Sequence, residues 1–539
     1  MTTTPATTSA VMANYLMSAG TTHMFGYPGT SNIELMENAR QLGLETVLAR
    51  QESTAAFMAE GYAMSSGRLG VCLSTLGPGS TNMVNGVAAA YLDRVPVIAI
   101  SGQISTAKEG YFTHQVVDHN RLFAPVSKWA GRVDPDNVAT VMRKAIRTAL
   151  AERPGSVHLT TNADVAKVPA SDAEVVVPPM SPAASSLQVH RTDPDSDPLA
   201  QVREARQPLI LVGIGALRAG ATDALLALAE HLDAPLVVAP MAKGTVPEDH
   251  ERFAGVLDMA CNDILWSLLA ESDLIIAAGF DAVELIKPWT IDTPVLHVDA
   301  VPNTDQIYRA EVELVGDIPA TLAWIREETS GGSGWPTGAL AAHRQKLNDG
   351  YRAGRLAGAI NPTDVVDVMR AAMPRDTIVT SDVGSHKLLV GQGWQTYTPR
   401  TTLMSNGLSS MGFSVPGAIG AKIANPDRPV LSFVGDGGFA MVPGEMQLAS
   451  TMQLGITVVV FVDKSLNRIE LKQQALGYPS TATTIDASDL VAMSEAMGGE
   501  GVRVDSVAAL ERAAAEPAPT DRPRLIEAYV DPSQYQSQF

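Results

Sequence analysis

The chain has 539 residues, 45% of them hydrophobic and 18% charged, with a formal net charge of -19 at pH 7. This length exceeds one hydrophobic core and predicts three domains, while the negative charge argues against nucleic acid or an anionic membrane as partner. The two cysteines, Cys72 and Cys261, lie far apart and outside any CxxC pattern, so neither a disulfide framework nor a zinc site is implied. The N-terminal segment has no basic region leading into an apolar run, and no stretch of about 18 apolar residues follows. The expectation is a cytoplasmic enzyme without signal peptide or membrane span.

In chain order, apolar β-branched runs alternate with helical patterns. Phe25-Gly26-Tyr27-Pro28-Gly29 reads as a Gly/Pro turn after a strand, and Arg50-Gln51-Glu52-Ser53 follows the apolar stretch TVLA. Thr75 to Asn82 (TLGPGSTN) reads as a second turn, followed by a strand over Val95–Ser101. Residues 171–199 and 329–344 are rich in Pro, Ser, Gly or Ala and read as linkers. They separate domains at 1–170, 200–328 and 345–539. Further strands are predicted at Leu209–Gly213, Leu274–Gly279, Val430–Gly435 and Ile456–Val462, with a helix at about 443–453. Continuous runs of this kind suit parallel strands covered by helices, giving three doubly wound α/β units.

Gly435-Asp436-Gly437 closes the run VLSFV, where open α/β sheets place their ligands. The glycines let backbone approach a phosphate, and Asp436 offers a hard oxygen to a divalent cation. The next predicted strand ends before Asp463, 27 residues after Asp436. One crossover could set the two carboxylates side by side.

These motifs resemble the thiamine-diphosphate-dependent enzymes that include acetolactate synthases, pyruvate oxidases and 2-oxo acid decarboxylases. The resemblance runs from about Ala13 to Val530. It lies nearest the flavin-free, catabolic acetolactate synthases, through the segment Phe112-Thr113-His114-Gln115 and the stretch Phe280 to Trp289. It implies pyrimidine-binding, central and diphosphate-binding domains, with thiamine diphosphate and Mg²⁺ or another divalent cation as cofactors. FAD is not expected, because no GxGxxG follows Gly213 and the Arg-rich central stretch of flavin-binding relatives is missing.

By resemblance, Glu52 hydrogen-bonds the cofactor's aminopyrimidine and assists loss of the thiazolium C2 proton. A carboxylate in an apolar pocket has a raised pKa suited to this. His114 and Gln115 would contact the substrate. Asp436, Asp463 and the Ser465 carbonyl would hold the metal, although Val462 stands where the family commonly has Asn. Pro28, Gly29, Asn82, Gly384, Ser385, His386, Asn406, Gly407, Leu408, Gly435, Gly437, Gly438, Leu466 and Asn467 would line the cofactor, with Met411 propping its bent form. Tyr27, Leu76, Phe112, Arg468 and Lys472 would face the substrate.

The activity so implied is decarboxylation of a 2-oxo acid, with pyruvate the expected donor, and transfer of the product carbanion to a second carbonyl. The alternative is release of an aldehyde, as in benzoylformate decarboxylase. The family builds its site between subunits, which implies a homodimer or homotetramer.

Overall fold

A computed structural model describes residues 6–177, 186–332, 334–486 and 488–538. Residues 178–185 of the first expected linker and Ser333 of the second lie outside the described residues. Three sheets order the described chain. The first contains β1 (His23–Gly26), β2 (Glu45–Leu48), β3 (Gly70–Ser74), β4 (Val97–Gln103), β5 (Trp129–Val133) and β6 (Val157–Asn162), in the order β2-β1-β3-β4-β6-β5. The second contains β7 (Gln188–Arg191), β8 (Pro208–Val212), β9 (Leu236–Val238), β10 (Phe253–Val256), β11 (Leu274–Ala278), β12 (Val295–Asp299) and β13 (Ala310–Val315), in the order β10-β9-β8-β11-β12-β13-β7. The third contains β14 (Ile378–Ser381), β15 (Thr402–Met404), β16 (Val430–Gly435), β17 (Ile456–Val462), β18 (Glu500–Val504) and β19 (Arg524–Tyr529), in the order β15-β14-β16-β17-β19-β18.

Every pairing is parallel except β13 with β7. The central strands are fully buried: β3, β4, β8, β11 and β17 have no exposed position. Runs such as ITVVVFV can be this apolar because helices cover both faces of a parallel sheet. The predicted α/β class holds, with one antiparallel edge strand added to the middle sheet.

Three local expectations are corrected. Gly77-Pro78-Gly79 is not a turn but the opening of the helix Gly77–Leu92, where proline's missing N–H costs nothing. Gln188–Arg191 of the expected linker 171–199 is strand β7, and the helix Ala339–Arg352 begins inside the expected linker 329–344. Alanine-rich and short polar segments carry weak periodicity, so pairing with β13 and packing against β10 decide them.

The chain forms two compact units: 1–180 with 408–427 and 442–454, and 181–407 with 428–441 and 455–539. In the first unit the helix Ser414–Ala424 crosses the helix Glu52–Ser66 with backbone nearly touching backbone. A Cβ on Gly420 would stand 2.0 Å from the Met58 carbonyl oxygen, and one on Gly61 2.3 Å from the Gly417 oxygen. Phe57 and Phe413 meet edge-to-face at 5.9 Å beside this crossing. Replacing Gly420 with Ala should force the helices apart and destabilise the fold by about 1–3 kcal/mol, readable in chemical denaturation.

Candidate active site

In the first unit, the sheet's carboxyl edge gathers Tyr27, Pro28, Gly29, Glu52, Leu76 and Asn82. Glu52 is the first residue of its helix and is half-buried. Asn82, one turn into the helix Gly77–Leu92, donates from Nδ2 to Glu52 Oε2 at 2.7 Å. Glu52 thus stands at a helix start, hydrogen-bonded by an amide, rather than in the apolar pocket expected from sequence. The loop after β1 carries Tyr27, Pro28 and Gly29. The Gly29 N–H donates to Asn32 Oδ1 at 2.9 Å, and Ser31 Oγ meets Thr75 Oγ1 at 3.1 Å, joining this loop to the one holding Leu76. The Gly77 N–H donates to the Gln115 carbonyl at 3.0 Å. Phe112 and His114 face each other edge-on at 6.3 Å, and both are solvent-exposed.

Glu445, which sequence reasoning missed, belongs to this unit. Its buried carboxylate accepts the Arg50 N–H at 3.0 Å and the Thr54 hydroxyl at 2.5 Å, bracketing the approach to Glu52. Burial raises its pKa. Nothing in the local sequence singles it out, because its partners lie 395 and 391 residues away.

In the second unit, the third sheet's carboxyl edge gathers the phosphate and metal candidates. Gly435 ends β16, and Asp436–Phe439 forms a single helical turn beginning on it. Asp436 Oδ1 accepts the Gly437 N–H at 2.8 Å and Oδ2 the Lys464 N–H at 2.7 Å. Asp463, just past β17, accepts the Ser465 N–H at 3.1 Å. The two carboxylates oppose each other's ionisation. Burial, then Asp436, pushes Asp463 up to about 7, and burial raises Asp436. The expected loop Gly384-Ser385-His386 is instead the start of the helix Ser385–Gly393 after β14. Ser385 Oγ donates to Asn467 Oδ1 at 2.9 Å, joining two of the expected residues across loops. Burial pushes His386 down to about 3, and its Nε2 is buried without a partner. Lys387, also missed, is a buried ammonium that donates to Asn406 Oδ1 at 3.1 Å and the Ser405 carbonyl at 2.7 Å. Leu466 opens the helix Asn467–Ala475, on which Arg468 and Lys472 are exposed.

The segment Asn406 to Met411 is divided. Asn406 and Gly407 belong to the second unit, where Asn406 Nδ2 donates to the Glu284 carbonyl at 3.1 Å. Leu408 and Met411 belong to the first, where neighbouring Ser410 Oγ exchanges hydrogen bonds with the Asn85 amide at 2.9 and 3.1 Å. The C-terminal segment is anchored. Gln534 accepts from Thr363 through its N–H and hydroxyl, and Gln538 Nε2 donates to the Gly350 carbonyl at 2.9 Å.

A diphosphate with a divalent cation suits the second group. Two close carboxylates that resist joint ionisation are a donor set for a hard cation, and the Cε1–Nδ1 edge of His386 lies against Gly435 of the glycine turn. Among the described residues no group of three His, Cys, Asp or Glu side chains gathers for a metal, so the remaining donors would be backbone, ligand or water.

Comparison with known proteins agrees. The thiamine pyrophosphate enzyme N-terminal TPP binding domain matches residues 6–122, the central domain 197–325 and the C-terminal TPP binding domain 382–528. The catabolic acetolactate synthase of Raoultella terrigena is 30% identical over 542 residues, 97% of this chain and 94% of that protein. The chain belongs to the thiamine pyrophosphate enzymes. A probable acetolactate synthase large subunit of Methanocaldococcus jannaschii is 30% identical, covering 96% of this chain and 91% of its own length. The acetolactate synthase of Bacillus subtilis is 29% identical, covering 97% and 92%. This chain is therefore a thiamine-diphosphate-dependent enzyme resembling acetolactate synthases. No helix of the described residues is long and apolar enough to cross a membrane.

Proposed function

We propose that this thiamine-diphosphate enzyme decarboxylates a 2-oxo acid, with pyruvate as donor, and joins the two-carbon unit to a second carbonyl compound. The carrying observation is the docking of Gln115 on Gly77. It ties the His114-Gln115 segment to the helix whose Asn82 holds Glu52. The relatives' names support the same reading.

When bound, the cofactor supplies the electron sink for the carbanion left as carbon dioxide departs. Glu52 would hold the proton at the aminopyrimidine ring nitrogen, with Asn82 fixing the carboxylate's direction. Asp436, Asp463 and the Ser465 carbonyl would hold Mg²⁺. Gly384, Ser385, His386, Asn406, Gly407, Gly435, Gly437, Gly438, Leu466 and Asn467 would surround the diphosphate, and Pro28, Gly29, Leu408 and Met411 the rings. His114, Gln115, Tyr27, Leu76 and Phe112 would line the substrate side, with Arg468 and Lys472 as carboxylate partners. Domains bounded at 1–170, 200–328 and 345–539 would assemble as a symmetric cytoplasmic dimer or tetramer, with sites completed between copies.

The reading is flavin-free. Strand order in the middle sheet turns at β8 and β11, where an open α/β sheet would take a dinucleotide. There a Cβ on Gly213 would stand 2.3 Å from the Gly279 carbonyl oxygen, and the buried Glu284 carboxylate takes the Ile214 N–H at 2.9 Å and the Asp281 N–H at 3.1 Å. A helix start already engaged by the chain's own carboxylate supports the flavin-free reading.

The test supplies purified protein with thiamine diphosphate, Mg²⁺ and pyruvate, follows carbon-dioxide release and identifies products by mass spectrometry. Acetolactate without bound flavin is expected. Aldehyde alone would move the enzyme to the decarboxylases.

A further inference from the structure

The metal loop and the helix bearing Arg468 and Lys472 are one stitched element. Lys464 takes a left-handed conformation (φ 59°) just after Asp463, turning the chain back on itself. The returning segment then pairs with this turn. The Leu466 N–H donates to the Thr483 carbonyl at 2.7 Å, the Ile485 N–H to the Lys464 carbonyl at 2.9 Å, and Ser465 and Thr484 form an antiparallel bridge. Gln473 closes the far end of the helix. Its Nε2 donates to the Thr481 carbonyl, and its Oε1 accepts the Thr481 N–H, both at 3.0 Å.

At the centre lies Glu470. One carboxylate oxygen accepts the Ser465 hydroxyl, and the other accepts the Ser480 hydroxyl at 2.7 Å. Both carboxylate oxygens of Glu470 are thus engaged as acceptors, one on each side of the helix. A single carboxylate thereby joins the turn that presents the Ser465 carbonyl, the helix and the returning strand. With the Gln473–Thr481 pair, the two hydroxyl contacts tie the helix to the turn on one side and to the returning segment on the other.

We propose that Glu470 is a positioning residue for the divalent cation, a clasp that fixes the Ser465 carbonyl and the substrate-facing helix in one arrangement. The inference rests on the reading of Asp463 and Ser465 as metal ligands. The clasp is geometric and separable from the charge that Glu470 places near Asp463: a Gln at 470 can still accept from one hydroxyl and donate to the other. A general field effect of a nearby negative charge would instead be lost equally in Gln and Ala.

The test titrates Mg²⁺ into intact protein with saturating thiamine diphosphate and follows the quench of intrinsic fluorescence. Circular dichroism checks the fold. Glu470→Ala should raise the half-saturating Mg²⁺ concentration about tenfold or more, the usual scale for losing a hydrogen-bond partner of a metal ligand. Glu470→Gln should stay within about threefold of wild type, and Ser480→Ala, an exposed change with no burden on folding, should fall between. Wild-type Mg²⁺ affinity in both Glu470→Ala and Ser480→Ala would overturn the clasp, as would equal losses in Ala and Gln. Asp463→Ala separates the two readings. If it loses Mg²⁺ while Glu470→Ala does not, the metal assignment stands and the clasp falls. If it too binds Mg²⁺ normally, the metal assignment falls and takes the clasp with it.

Discussion

Glu52→Gln should lower turnover by about 10²–10⁴-fold while sparing thiamine-diphosphate affinity, the scale set by losing a positioned proton-transfer group. Gln is isosteric and can keep the Asn82 contact by reversing its amide, so the helix start should stay intact. It cannot hold the proton that the aminopyrimidine nitrogen requires. Two readouts separate this from a folding defect. The half-saturating cofactor concentration should change less than about threefold, and the exchange of the bound cofactor's C2 proton with deuterium should slow with turnover. Exchange at the wild-type rate would refute the assigned role. Glu445→Ala offers a contrast. It removes the acceptor of Arg50 and Thr54 without touching Glu52, so it should lower kcat less than Glu52→Gln while destabilising the fold.

Asp463→Ala should weaken Mg²⁺ by at least about a hundredfold, beyond the 10- to 100-fold cost of losing a supporting partner. The same pair predicts a pH dependence. Without metal, burial and then the Asp436 charge raise Asp463 from 3.8 to about 7. A carboxyl raised in the folded state stabilises the apoprotein while protonated. This contribution is complete below about pH 4 and is lost as pH rises through about 7. A divalent cation binds the ionised pair and compensates their repulsion. Calorimetry should therefore show proton release on Mg²⁺ binding near pH 6.5. The rise in Tm on adding Mg²⁺ with thiamine diphosphate should be larger at pH 8 than at pH 6. Equal rises at both values, with no buffer-dependent heat, would exclude Asp463 as the titrating ligand.

Residue chemistry in short motifs carried much of this protein. Val430–Gly435 and Ile456–Val462 are strands at the residues expected, because a largely apolar run ending at Asp has one good burial solution in a parallel sheet. Asp436 and Asp463 were legible for the same reason: strand ends put them on one edge. Glu52 was legible from its motif, but its surroundings were not. The amide holding it comes from a helix 30 residues on, whose first turn reads as a loop in sequence because Gly-Pro-Gly resembles a turn more than a helix start.

What sequence could not carry depends on distance along the chain. Glu445 meets Arg50 and Thr54 only because helices from opposite ends of the chain pack together, and Gly61 and Gly420 matter only at that crossing. Glu284 belongs to the stretch that carries the family resemblance, but nothing in that stretch foretells that the fold places it against the backbone of Ile214, where burial lifts it to about 8. Glu470 reads as a solvated helix residue until the chain returns Ser480 to it. The sequence by itself determined the α/β class and the strand-end carboxylates, since each depends on local patterning and on side-chain types at fixed spacing, while the cofactor came from the resemblance of its motifs to a family. Only the tertiary structure decided which groups orient them, because a hydrogen-bond partner hundreds of residues away leaves no local periodicity.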